Sequence, residues 1–513
     1  MELKFKKASH DYYEPLRFAP FTCETMRENI VPDSCADIAR IVDTMGLVCL
    51  TSREVTGDGR FSASGVVEVS VLYIPERNAS ELPAGPCALH FQIPFQCYGE
   101  GQPECEFLDI RGELRSIDTR VLNPRKVLTR ANLVLYPAGC RHASLSVCTD
   151  VEGGEGVQLL RQQRRTRVIA GAREKEFSFS EELPLSPGRG GAEEVLSTRL
   201  DVRGTDCKLW GNKLVVKGLI SAAVLYREGG GRLAQLQQDL PFSQILDGNG
   251  FDEDCECEAV YQLLSAECRI GCESGPEDAY VMTLNLQLRA RVTVWREEEV
   301  AFIADLYSTA AAVSCQRLQL ELSEDCQRVP RRQNVRELLE TASAVKTVID
   351  TEVGCGGVQL SGGELRIPAW ARCLYLDEDD VLGSVCREFS VVCPAELPES
   401  AQEEDCQAEA AFRGDVIANI LPEGIELRLP LECVLATASR RRYLCVDGAE
   451  TEEEQQEKET RPSLVLRKLG PEETLWSVAK QYRTTCQGIL AVNGLEEGEP
   501  VGAEQLLLIP KAR

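Results

Sequence analysis

Apolar and polar residues alternate along most of this chain at the two-residue period of half-buried strands. The clearest run is Phe61 to Ile74, where Val67, Val69, Val71 and Tyr73 fall on one face. Gly57-Asp58-Gly59 in front of it is a hairpin turn signal, and Leu47 to Val55 reads as the strand before that turn. Leu89 to Cys97, Ile110 to Arg120 and Arg130 to Tyr136 continue the series. Upstream, Pro32-Asp33-Ser34 offers a turn and a cap. Ala36 to Asp43 then reads as a short helix with Ile38, Ile41 and Val42 inward.

The same order returns twice. Ala192 to Thr198 is the next expected helix, with Leu200 to Leu209 after it, a turn at Gly211-Asn212, and an alternating strand from Lys213 to Tyr226. Gly65-Val66-Val67 and Leu72-Tyr73 match Gly218-Leu219-Ile220 and Leu225-Tyr226 at equal separation. In the third, worn copy, Val335 to Thr341 is the expected helix and Glu364 to Leu376 the long strand. Pro368 in that strand predicts an edge or a bulge. Boundaries are expected at 1–170, 171–322 and 323–448, with an acidic linker over 449–462 and a separate module over 463–513.

In that last module the period changes. Leu464 to Lys468 is a strand-length apolar run stopped by Gly470-Pro471. Thr474 can cap a helix whose inner stripe is Leu475, Val478, Ala479 and Tyr482. Thr484-Thr485 breaks it and caps a second helix ending at Asn493-Gly494, and Leu506 to Ile509 returns as a strand. The fold class is therefore mostly β (α+β): three β-rich repeats followed by a small βααβ domain. The linker run Thr451 to Glu457 reads as a solvated hinge that lets this module move.

The Thr-Leu-Trp-Ser-Val-Ala segment from Thr474, the Asn493-Gly494-Leu495 turn and the closing Leu507-Leu508-Ile509-Pro510 resemble a LysM module. That resemblance implies a ligand between two loops, here Glu473, Thr474 and Leu475 on one side and Asn493, Gly494 and Leu495 on the other. The family's usual ligand is an N-acetylglucosamine glycan such as peptidoglycan. Where family members carry Gly-Asp, this chain has Glu472-Glu473. A glutamate side chain there crowds a sugar's approach to the backbone and favours a protein ligand. The repeats resemble the SPOCS domain of endospore formers, through the helix–strand start, the Gly-to-Leu-Tyr strand, the Arg120 to Lys126 segment and the Asp305 to Thr309 segment. SPOCS repeats followed by LysM resemble coat-morphogenesis proteins of the SipL type. This implies a non-enzymatic scaffold in the mother-cell cytoplasm at the forespore surface. Its partner would be the coat-basement ATPase or another coat protein, with a peptidoglycan anchor as the alternative.

Charge and chemistry narrow the picture. A net charge of −26 disfavours nucleic acid, whose phosphates would be repelled. No apolar run reaches the roughly 20 residues of a membrane helix, and the N-terminus does not read as an export signal. The 23 cysteines are scattered and read as small buried apolar residues of a reduced protein. Cys255 with Cys257 and Cys268 with Cys272 lack zinc-ligand spacing, so neither metal nor cofactor is expected. The histidines, His10, His90 and His142, have no nucleophile motif beside them, and no catalysis is expected. Arg161, Arg164, Arg165 and Arg167 form the one basic cluster, read as an exposed strand face or a docking patch.

Overall fold

A computed structural model of the chain describes residues 3–16, 18–56, 60–76, 85–101, 104–185, 191–273, 279–399, 401–452, 463–496 and 505–510. The first unit holds β1 (Lys4–Leu16), β2 (Phe21–Ile30), β3 (Ile38–Val55), β4 (Arg60–Pro75), β5 (Cys87–Glu100), β6 (Phe107–Asn123) and β7 (Lys126–Glu152). The second holds β8 (Val157–Leu185), β9 (Ala192–Trp210), β10 (Lys213–Glu228), β11 (Leu233–Asp247), β12 (Glu256–Glu273) and β13 (Ala279–Ser308). The third holds β14 (Ala312–Glu340), β15 (Val345–Cys355), β16 (Gln359–Ser361), β17 (Glu364–Asp377), β18 (Leu382–Pro394), β19 (Gln407–Phe412), β20 (Ile417–Leu421) and β21 (Gly424–Glu452).

Each unit is tied shut by its ends. The closing strand pairs antiparallel with the leading one along nearly its whole length: β7 with β1 and β2, β13 with β8, β21 with β14. Between them lies an antiparallel meander, β3-β4-β5, β9-β10-β11, or β15 and β16 with β17 and β18. A unit's core forms where its meander packs on the first half of its closing strand. Val67, Val69 and Tyr73 face Ala131, Leu133 and Leu135 in one, and Ile220, Val224 and Tyr226 face Met282, Leu284 and Leu286 in the next. Strand pairing thus divides the chain at 153–156 and 309–311, and the boundaries expected at 170/171 and 322/323 fall inside β8 and β14.

Apolar junctions join the units. The second halves of the long strands meet through Val147, Phe302, Leu320, Leu322 and Cys445. The meanders meet through Leu72, Leu225 and Leu374, one from each unit. Their neighbours Tyr73, Tyr226 and Tyr375 point into their own units' cores. The repeated Leu-Tyr pair therefore has a physical reason: alternate side chains of one strand serve two cores. The matched glycines are packed under aromatic rings. A Cβ on Gly65 would strike Cys49 O and the Phe95 ring, and one on Gly218 would strike the Phe242 ring. The third unit has Ile367 in place of that glycine.

The three short helices expected at Ala36–Asp43, Ala192–Thr198 and Val335–Thr341 are instead the start of β3 from Ile38, the start of β9 and the end of β14 at Glu340. β-Bulges explain the first two. In β3 the pairing register skips at Ala39 and again at Val42, and in β9 at Glu193 and Leu196. A bulge turns successive residues to one side, so apolar positions acquire a spacing that imitates a helix. Val42 and Leu196, the bulged residues, enter the junction between meanders. In β14, Val335, Glu337 and Leu339 follow the strand period, and ladder bonds to Leu429, Leu427 and Ile425 hold the backbone extended. Pro368 sits where the partner of β17 changes from β15 to β16, between Ala369, opposite Cys355, and Arg366, opposite Gln359.

Cys23 on β2 and Cys97 on β5 are joined by a disulfide, which corrects the expectation of uniformly reduced cysteines. The two cysteines lie on neighbouring sheets of one unit, a closeness that their separation of 74 residues does not reveal. The hairpin expected at Gly57-Asp58-Gly59 lies outside the described residues. Of the expected linker 449–462, residues 449–452 continue β21 and the others lie outside the described residues.

Candidate binding module at the C-terminus

After Ser463 come β22 (Leu464–Lys468), α1 (Leu475–Tyr482), α2 (Cys486–Asn493) and β23 (Leu506–Pro510), with β22 and β23 antiparallel. Thr474 caps α1: its Oγ1 accepts from Ser477 N at 3.1 Å, and Ser477 Oγ accepts from Thr474 N at 3.0 Å. Thr485 caps α2 by accepting from Gly488 N at 2.9 Å. Gly494, at φ 65°, ends it in the left-handed region that glycine tolerates. Leu469, Val478, Ala479, Ile489, Leu507 and Ile509 form the core.

The candidate loop residues divide by what they already hold. Glu473 folds back, its carboxylate accepting from Gly470 N at 3.0 Å and pairing with Arg467 at 2.5 Å. Glu472, which stands where family members carry the glycine, is exposed. Asn493 is fully engaged. Its Nδ2 donates to Ile489 O and Leu508 O at 2.7 Å each, and its Oδ1 accepts from Leu508 N at 2.8 Å. Leu475 and Leu495, one from each loop, pack against the same core. Thr474 and Gly494 are exposed. The second loop is described only as far as Glu496.

The module is not a free tail. Tyr307, at the end of β13, is buried within its core and donates from its hydroxyl to Thr484 O at 2.7 Å. The Tyr307 and Trp476 rings meet edge-on at 4.8 Å. Trp476 Nε1 donates to Asp305 Oδ2 at 2.9 Å, and Lys480 Nζ lies 2.7 Å from both Asp305 oxygens. Arg317 of β14 adds a contact to Asp305 at 2.9 Å. Burial alone would raise the Asp305 carboxyl. The hydrogen bonds from Lys480 and Trp476, with the positive charges of Lys480 and Arg317, outweigh it and hold the group below its ordinary value. Burial pushes the Tyr307 hydroxyl up. A hinged, independently moving module was expected; here one side of α1 is seated on the second unit. Residue reading singled out both the Asp305 to Thr309 segment and Trp476, but nothing in the sequence ties one to the other.

Family comparison gives two matches: the SipL, SPOCS domain over residues 192–270 and the LysM domain over 469–510. The chain joins a SPOCS domain to a LysM domain. The SPOCS match runs from the start of β9 into β12, covering the second meander. No curated protein and no solved structure matches the chain. Both domains are non-catalytic binding modules, and together they mark a sporulation-related protein with a module of the peptidoglycan-binding type.

His10 Nδ1 pairs with Glu298 at 2.6 Å. His90 Nε2 donates to Val195 O at 2.9 Å, so its Nδ1 accepts from Ser70 Oγ at 3.0 Å, linking the first two units. Among the described residues no group of His, Cys, Asp and Glu could hold a metal ion, and no helix is long and apolar enough to cross a membrane. The basic cluster is largely neutralised in place. Arg161 pairs with Asp150, Arg165 with Glu299 and Arg167 with Glu256, while Arg164 stacks on Tyr443.

Proposed function

We propose that this protein is a non-enzymatic adaptor of endospore coat assembly, acting in the mother cell at the forespore surface, with its LysM module gripping a coat morphogenetic protein. On this reading the first and third units are further SPOCS-like repeats. The observation that carries the protein-partner reading is the state of the loop residues. Glu473 and Asn493 spend their polar atoms inside the module. Elsewhere on the module Leu464 and Leu466 of β22, Leu506 of β23 and Val492 of α2 are exposed apolar residues. Sugars are held by free polar groups and exposed rings, whereas an apolar patch suits a protein surface. The contact with Asp305 and Tyr307 uses Trp476, Lys480 and Thr484 and leaves Thr474 and Gly494 exposed, so the seated module can still present its loops.

Deleting Ser463 to Arg513 from a fluorescently tagged chain in a sporulating host tests the reading. The truncated protein should lose its ring around the forespore; a persistent ring gives the recruiting role to the repeats. Peptidoglycan anchoring is the second reading, and it rests on the LysM match over residues 469–510. Co-sedimentation of the full chain with insoluble peptidoglycan separates the two.

A further inference from the structure

A cleft of about 430 Å³ lies between the first two units, walled by Thr51 to Arg53, Val55 and Cys105 to Leu108 on one side and by Ala172 to Glu174, Arg289 and Arg291 on the other. Its volume is within the range of small-ligand sites, roughly 300–1,000 Å³. In a chain of net charge −26, four arginines converge on it: Arg53, Arg173, Arg289 and Arg291.

Three of the four are occupied. Arg53 donates to Leu108 O at 2.7 Å, to Gln262 at 3.0 Å and to Glu174 at 2.5 Å. Arg289 donates to Gln262 at 3.0 Å, to Glu176 at 2.6 Å and to Thr51 O at 3.2 Å, and pairs with Glu174 at 2.9 Å. Arg173 donates to Ala172 O and Asn249 O and stacks on Phe251. Arg291 differs. Its side chain is only 11% exposed, and its nearest counter-charge is Asp109 at 3.8 Å, beyond hydrogen-bond reach. Glu174 stands directly opposite it in the β8–β13 ladder, but Glu174's oxygens go to Arg53 and Arg289. Among the described residues Arg291 makes no side-chain hydrogen bond. The Arg291 guanidinium lines the cleft with N–H donors that no described residue takes up, so they are free for a ligand. The like charges of Arg289 and Arg291 add to burial in lowering the basicity of Arg53. An anion in the cleft would offset these like charges.

We infer that this cleft binds a small oxyanion-bearing molecule, a phosphate or phosphate ester, held by a two-pronged contact from Arg291. A planar guanidinium suits such a group, and the cleft has room for more than the phosphate alone. A ligand there touches both units and would act as an effector that locks them together. The site is distinct from the LysM module and does not depend on its role.

Calorimetric titration of the purified full chain with inorganic phosphate and with a nucleoside monophosphate, at low ionic strength, tests this, alongside a thermal melt with each. Saturable one-to-one binding that raises the melting temperature is expected, weakened at least tenfold in Arg291→Gln. Equal affinity for the two ligands identifies a simple oxyanion site, and tighter nucleotide binding a phosphorylated metabolite; both support the inference. No binding of either ligand, or equal binding by a folded Arg291→Gln chain, overturns it. Should that variant not fold, Arg291→Lys, which keeps the charge and loses the two-pronged geometry, should bind more weakly, and unchanged affinity there is equally fatal.

Discussion

The indole nitrogen of Trp476 donates to Asp305 Oδ2 at 2.9 Å, and through that bond the LysM module is seated on the closing strand of the second unit. The carboxylate is shared with Lys480 and Arg317, so one residue gathers donors from α1 and β14. Asp305→Ala would leave Lys480 and Trp476 without this acceptor. Hydrogen bonds to charged groups contribute about 1.5–3 kcal/mol, and the seated state should weaken by that order. Hydrogen exchange should show faster amide exchange across 475–482 with little change in the cores of the three units. Unchanged protection in α1 would mean that Tyr307 alone holds the module.

Acid should undo the same contact, and only strong acid. Because the folded Asp305 lies below its ordinary value, its contribution is complete above the ordinary carboxylate pKa of about 3.9 and fades as pH falls through the depressed one. Burial raises the Tyr307 and Cys315 groups, away from this range. The Trp476 indole resonance should hold its position from pH 7 to about 5 and move only below about pH 4. In Asp305→Asn that acid transition should vanish.

Where the meanders meet, Asp350 of the third unit receives Arg199 of the second at 2.7 Å and Gln235 at 2.8 Å. Asp43 of the first accepts from Ser384 at 3.0 Å and lies 3.4 Å from Arg372. These pairs are largely buried, and breaking one strands a charge, at a cost of about 3–5 kcal/mol. Asp350→Ala should lower the urea midpoint accordingly. Replacing both partners, Arg199→Met with Asp350→Leu, should recover most of the loss, since an apolar pair leaves no charge behind. If the double variant is as unstable as the single one, packing at the junction rather than charge is responsible.

What the residues disclosed follows the range over which each interaction acts. Alternation at Val67, Val69, Val71 and Tyr73 reports a local period, so the long strands were legible. The caps Thr474 and Thr485 and the stop at Gly494 act within a few residues, and the βααβ module was legible almost element by element. The bulges at Val42 and Leu196 were not, because their cause is a junction with the other units, and locally they imitate a helix. The Cys23–Cys97 bond and the Asp305–Trp476 bond span distant parts of the chain and leave no mark on the spacing of either partner. The six candidate loop residues come from the resemblance to a known module and not from their spacing. Their division into engaged and open members depends on where a side chain turns, as Glu473 does toward Arg467.

Asn493 supplies the sharpest test of that division. Its amide spans the last turn of α2 and the middle of β23, making three hydrogen bonds to backbone groups. Asn493→Ala would leave Leu508 N and Leu508 O without these partners, and an unmet buried backbone group costs about 1–3 kcal/mol. A module with a small core has little stability to lose, so amide exchange should quicken across α2 and β23 even with no ligand present. Thr474→Ser keeps the cap and alters only the exposed methyl, so it should change partner binding without changing exchange. Weaker binding by Asn493→Ala with native exchange rates would place the amide on the ligand instead of on the fold.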